Sequence, residues 1–127
     1  MAGLKLPAKF RPAIIAALAS DNRHYKIGAC IYQGNKLLAI GVNSYKTHPL
    51  MRLLGPNLKT LHAEVAAIAR VKDKTKLIGA SIFVFRYDKR TGQALCKPCP
   101  ICAEIIRFFG IKKVSYTVED GFVSYKV

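Results

Sequence analysis

The sequence predicts a three-layer α/β/α protein, with helices packed on the faces of a mixed sheet of about five strands. Apolar residues make up 51% of the 127 positions, and no Ser/Gly/Pro-rich tract interrupts them, which is the composition of a folded globular chain. β-rich runs alternate with segments of helical period in the order α-β-β-α-β-α-β-β, with no internal repeat and no linker. Such an alternation buries helices against a sheet. The length suits one domain, residues 1–127, around one core.

Each element has a local reason. Pro12 suits the first turn of a helix, and the apolar run Ala13 to Ala19 continues it to about Asp21-Asn22. The same run follows Lys5, Lys9 and Arg11 and ends in an Ala-x-Ala pattern, so it faintly resembles a signal peptide. It is short for such a core, and a packed helix in a cytoplasmic protein is the expectation. No segment approaches the ~20 apolar residues that a membrane span requires. Ile27 to Tyr32 and Lys36 to Val42 are β-rich and flank Gln33-Gly34-Asn35, which reads as a hairpin. Residues 43–59 carry Pro49, Gly55 and Pro56 with little periodicity and read as a long loop. Leu61 to Val71 reads as an Ala-rich helix, and Lys72 to Lys76 as an exposed turn. Ala80 to Tyr87 alternates as a strand, and Asp88 to Gly92 turns the chain back. A buried helix follows from about Cys99 to Phe109, closed by Gly110. Lys113 to Val118 is a strand, Glu119-Asp120-Gly121 a turn, and Phe122 to Val127 a last strand.

The chemistry lies at the starts of the two central helices. Cys99 and Cys102 are three apart, so their sulfurs can share one face. A helix N-terminus also favours the thiolate, the form that binds metal. His62 opens the other helix and adds a nitrogen. A set of one N and two S suits zinc, and stopping at three leaves a position open for water. Zinc lowers the pKa of such a water to about 7. Inside a helix, residues two apart point about 200° away from each other, so His62 and Glu64 can serve one site only off the helix tip. There Glu64 stands beside the water without ligating the metal. It can take a proton, deliver it to a ring nitrogen and pass one to departing ammonia.

His62-Ala63-Glu64, followed 34 residues later by Pro98-Cys99-x-x-Cys102, resembles the signature of the cytidine deaminase superfamily of zinc-dependent nucleobase deaminases. The likeness extends from about Arg23 to Thr117. Cys99 to Ile106, then Gly110 to Val114, is similar to the deoxycytidylate deaminase branch. The resemblance implies a cytidine deaminase-like fold with His62, Cys99 and Cys102 as zinc ligands and Glu64 as proton shuttle. It also implies that the Ala63 backbone N–H meets the base carbonyl, and that Asn43 holds the sugar or base. The implied reaction is hydrolytic attack at C4 of a cytosine nucleotide of deoxycytidylate type. The family's short subunits usually assemble, so a homo-oligomer is also expected.

A closed structural zinc site is the bland alternative, and Cys96, His24 or His48 could be nominated as its fourth ligand. Cys96-x-x-Cys99-x-x-Cys102 also resembles part of an iron–sulfur pattern. Neither explains Glu64, and Cys96 precedes Pro98, off the helical face of the other thiols. The net charge of +14 pulls towards polyanions. Lys46, His48 and Arg52 could meet a substrate phosphate, as could Arg86, Lys89, Arg90 and Lys97; each is otherwise a solvated surface cation. Tyr45 and Tyr87 could stack on a base or simply pack. The competing readings are therefore a deaminase of cytosine or adenine within RNA (tRNA) or single-stranded DNA, and a basic nucleic-acid-binding module with a structural zinc. The 119–121 turn suggests an antiparallel final strand, as in free-nucleoside deaminases.

Overall fold

The computed structural model describes residues 6–45 and 61–127. A 3₁₀ turn at Ala8–Phe10 leads into α1 (Arg11–Leu18), followed by β1 (Lys26–Gln33), β2 (Lys36–Val42), α2 (Ala63–Arg70), β3 (Ser81–Tyr87), α3 (Pro100–Phe108), β4 (Lys113–Val118) and β5 (Gly121–Lys126). The five strands form one sheet in the order β2-β1-β3-β4-β5. β3 and β4 are parallel, and the other three neighbouring pairs are antiparallel. The predicted mixed α/β/α sandwich is the fold.

Alternation along the strands sorts the core into two layers. Ile82 and Val84 of β3 join Ala29 and Ile31 of β1 beneath α2 and α3. Phe83 and Phe85 face the other way, with Cys30 and Tyr32, against Phe10, Ala13 and Ala17 of the N-terminal segment. Two glycines set how closely the helices approach. A methyl group on Gly28 would overlap the Ala13 carbonyl of α1, and one on Gly41 would overlap the backbone of Ala63 and Ala67 in α2. Gly41→Ala is therefore expected to lower stability by about 3 kcal/mol, the upper end for overpacking. Thermal unfolding beside the parent protein checks this.

Several predicted boundaries shift, each for a visible reason. The first helix stops at Leu18 rather than near Asp21-Asn22. Beyond it, the Ser20 hydroxyl donates to Asn43 Oδ1 at 2.6 Å, and Asn22 Oδ1 accepts the N–H groups of His24 and Tyr25. These side chains give the backbone an alternative to the helix. The helix predicted from Leu61 begins at Ala63, because Leu61 and Ser44 exchange both backbone hydrogen bonds at 3.0 Å and hold the chain extended. Of the loop predicted over 43–59, residues 46–59 lie outside the described residues. The exposed turn after α2 contains a 3₁₀ turn at Lys74–Leu77. α3 ends as its sequence suggests: Gly110, at φ 81°, donates to Arg107, and Ile111 donates to Ile106. These are the paired bonds of a Schellman stop.

The final strand is antiparallel to β4, joined to it by a turn at Glu119-Asp120. Among the described residues, no helix is long and apolar enough to cross a membrane.

Candidate active site

Topology brings the two motifs together. β2 and β3 both run antiparallel to β1, so their C-terminal ends lie at the same end of the sheet. The chain leaving β2 leads to the N-terminus of α2, and the chain leaving β3 leads to that of α3. Both helix starts therefore converge where α/β sheets commonly hold their ligands.

His62 is the N-cap of α2, with extended backbone (φ −82°, ψ 148°) and no side-chain capping bond. Its ring is thus released from the helix and turned towards α3. Cys99 is the N-cap of α3, also extended, and its Sγ accepts the Cys102 N–H at 3.4 Å. The helix predicted from Cys99 accordingly starts one residue later, at Pro100, and the two thiols stay adjacent. His62 Nδ1 lies 3.2 Å from Cys102 Sγ and 3.6 Å from Cys99 Sγ. Among the described residues these three form the one group that could hold a metal ion, with all candidate ligand atoms within 4.8 Å of one another. Tetrahedral zinc, bonded at about 2.3 Å to sulfur and 2.0 Å to nitrogen, sets its ligand atoms roughly 3.5–3.8 Å apart. The trio has the donor types and nearly the spacing that zinc requires.

The sulfurs are electrostatically distinct. Hydrogen bonds from Cys102 and His62 hold the Cys99 thiol down at about 4, so Cys99 is a thiolate at neutral pH. The Cys99 sulfur and burial push the Cys102 thiol up, leaving one proton on the pair, which a dication displaces. Cys96 behaves differently. It is buried, its Sγ lies 3.2 Å from the Val84 carbonyl and 3.4 Å from Thr117 Oγ1, and burial raises its thiol to about 12. A thiol held protonated in this way is a poor ligand. Cys96, His24 and Glu64 all stand outside the ligating trio.

Glu64, in the first turn of α2, is only 6% exposed. Burial raises its carboxyl above the ordinary range, with a backbone N–H and His62 opposing the shift. Its neighbours define a cleft of about 240 Å³ walled by Tyr25, Ile27, Leu61 and Val84, with His62, Glu64 and Cys99 in the same lining. Ala63 and Asn43 also line it, as does the exposed Lys97. Asn43 doubles as a brace: Oδ1 accepts from Ser20 and the Ile27 N–H, and Nδ2 donates to the Tyr25 carbonyl. One N–H of its amide keeps no partner among the described residues.

Lys46, His48 and Arg52 lie outside the described residues. Arg86, Lys89 and Arg90 border a separate trough. Tyr45, nominated for stacking, accepts the Arg23 N–H through its hydroxyl and is half-exposed, and Tyr87 borders the trough. Tyr25 escaped the sequence reading, because it enters the cleft only through pairing: β1 starts at the end where β2 and β3 finish.

A trio of one nitrogen and two sulfurs compatible with zinc, in a chain that matches a deaminase zinc-binding region, defines a zinc-dependent hydrolytic deaminase. The model of the cytidine and deoxycytidylate deaminase zinc-binding region matches residues 9–118, and the chain belongs to that family. No curated protein sequence matches the chain significantly. The fold is shared with deoxycytidylate (dCMP) deaminase from cyanophage S-TIM5. Its complex with dCMP and dUMP is 24% identical, with a TM-score of 0.63 over 86% of this chain and 77% of that one. RibD from Acinetobacter baumannii (21% identity, TM-score 0.55) overlaps 87% of this chain, and the overlap spans 27% of RibD. A mutant cytidine deaminase from Mycobacterium tuberculosis (17% identity, TM-score 0.52) overlaps 84% of this chain and 80% of its own.

Proposed function

We propose that the chain hydrolyses the exocyclic amine at C4 of a cytosine nucleotide, of which deoxycytidylate is the expected form. The observation that carries this is a buried Glu64 carboxyl beside, but outside, the His62/Cys99/Cys102 trio, in a cleft the size of a small ligand. Zinc held by that trio supplies the Lewis acidity that brings the ionisation of water close to neutral pH.

The protein's own groups do the rest. Tyr25, Leu61 and Val84 offer apolar walls to a planar base. The Ala63 N–H, one of the first amides of α2 and so without a partner within the helix, meets the base carbonyl. The second N–H of the Asn43 amide, without a partner among the described residues, reaches the base or sugar, and Lys97 stands at the rim for a phosphate. Glu64 takes a proton from the attacking water and delivers it to N3. As the C4–N bond breaks, Glu64 passes a proton to the departing amine, leaving a carbonyl at C4 and free ammonia. A carboxyl lifted by burial suits both halves of this exchange.

Choosing deoxycytidylate rests on the likeness of residues 99–114 to that branch, and a fold neighbour crystallised with dCMP and dUMP agrees with it. An ammonia-release assay over dCMP, CMP, deoxycytidine, guanine and single-stranded oligonucleotides tests the choice. The expected result is fastest turnover of dCMP, with deoxycytidine well behind. Negligible activity on dCMP beside rapid turnover of another substrate would overturn it.

A further inference from the structure

Beside the base cleft lies a second concavity of about 400 Å³, bordered by Arg23, His24, Lys26, Arg86, Lys89 and Arg90. Its one acid, Asp88, is already engaged: it accepts the Arg90 N–H at 2.8 Å and faces Arg90 Nε at 3.9 Å. Arg23 and Lys89 are exposed, and neither side chain has an ion-pair partner among the described residues. The trough therefore carries an excess of positive charge that the protein leaves uncompensated.

Two further features connect the trough to the cleft. The Arg86 guanidinium sits 4.7 Å from the centre of the Tyr25 ring, and Tyr25 lines the base cleft. Arg86 Nε is buried with no hydrogen-bond partner among the described residues, while Nη1 donates to the Leu95 carbonyl at 3.4 Å, which holds the guanidinium beside the ring. Tyr25 is 52% exposed, which leaves ring surface for stacking. A cationic groove running up to an exposed aromatic ring is the arrangement that tracks a single strand: phosphates along the cations, a base on the ring.

We propose that this trough binds the phosphodiester backbone of a single-stranded polynucleotide. A flat anionic surface would not enter a concavity, and one mononucleotide phosphate would leave most of these cations unused. The proposal goes beyond the deaminase reading and does not need it to hold.

The test measures binding of fluorescein-labelled oligothymidylate, about 15 nucleotides long, to the zinc-loaded protein by anisotropy. Thymine has no exocyclic amine, so binding is read apart from any deamination. With four phosphates contacted, log affinity falls against log salt with a slope of about −3, roughly a 50-fold loss between 50 and 200 mM salt. The double substitution Arg23→Ala/Lys89→Ala should flatten the slope to about −1.4. Lys72→Ala/Lys76→Ala, an equal charge change at the opposite end of α2, should leave the slope as in the parent. Circular dichroism confirms that both variants are folded. Equal losses in the two doubles would mean diffuse attraction to the net charge and would overturn the proposal. So would a parent slope near −0.7, or no binding at 50 mM salt.

Discussion

Replacing Glu64 by alanine is expected to slow deamination at least ~10²-fold while zinc content and melting temperature stay near those of the parent. Losing a positioned general acid–base group costs 10²- to 10⁴-fold, and no other carboxyl stands in the cleft lining to substitute for it. The fold should tolerate the change, because Glu64 is a buried carboxyl whose burial works against its charge. Glu64→Gln is a sharper version: it keeps the shape and a hydrogen-bonding end but cannot carry the proton, so it should be about as slow as the alanine variant. Metal analysis and kcat on the same preparations decide the matter. If either variant loses its zinc, Glu64 is a ligand and the site is structural.

The second large effect concerns the metal itself. The parent should hold about one zinc per chain, and Cys99→Ser or Cys102→Ser should lose most of it together with activity. A serine hydroxyl does not ionise near neutral pH, so one of three protein ligands disappears. Cys96→Ser should keep the metal, since its thiol is pushed up to about 12 and turned onto Val84 and Thr117. Cys30→Ser should keep it too. That thiol is also raised to about 12 and sits in the layer packed against α1, on the sheet face away from the trio. Zinc stoichiometry and the visible absorption spectrum of each variant are the readouts. A metal-free Cys96→Ser protein, or iron–sulfur absorbance in the parent, would refute the assignment of ligands.

How legible the site was depended on whether its parts are neighbours in sequence. Cys99 and Cys102 lie three apart around Pro100, so a local turn is enough to pair their sulfurs. Glu64 follows His62 by two, and the reading that both could serve one centre only off a helix tip matches the extended cap that His62 adopts. Asn43, which the resemblance assigns to the sugar or base, lines the cleft, but its bracing was not legible: its partners Ser20, Tyr25 and Ile27 come from the α1–β1 connection and the start of β1. Tyr25 and the trough were hidden for the same reason. Arg23 and Arg86 are 63 residues apart in sequence and border one concavity because β1 and β3 pair antiparallel, with Ile27 opposite Arg86.

By itself, the sequence determined what short-range chemistry can encode. The alternation of periods specified an α/β sandwich, because apolar residues spaced for one buried face admit few other arrangements. Donor types specified a metal, since two thiols three residues apart and an imidazole that opens the other helix suit zinc. Pro12 near the start of α1 and Gly110 beyond the end of α3 marked those helix ends, because each restricts or permits backbone angles locally. Only the tertiary structure decided where α2 begins, because the Ser44–Leu61 pairing that holds His62 out of the helix joins residues 17 apart. It alone decided which cysteine is left protonated, since Cys96 and Cys99 differ in burial and partners rather than in sequence context. It also gathered cations from the α1–β1 connection, the end of β3 and the turn after it into one trough. Charge at one point in space is a sum over chain segments that only the strand pairing brings together.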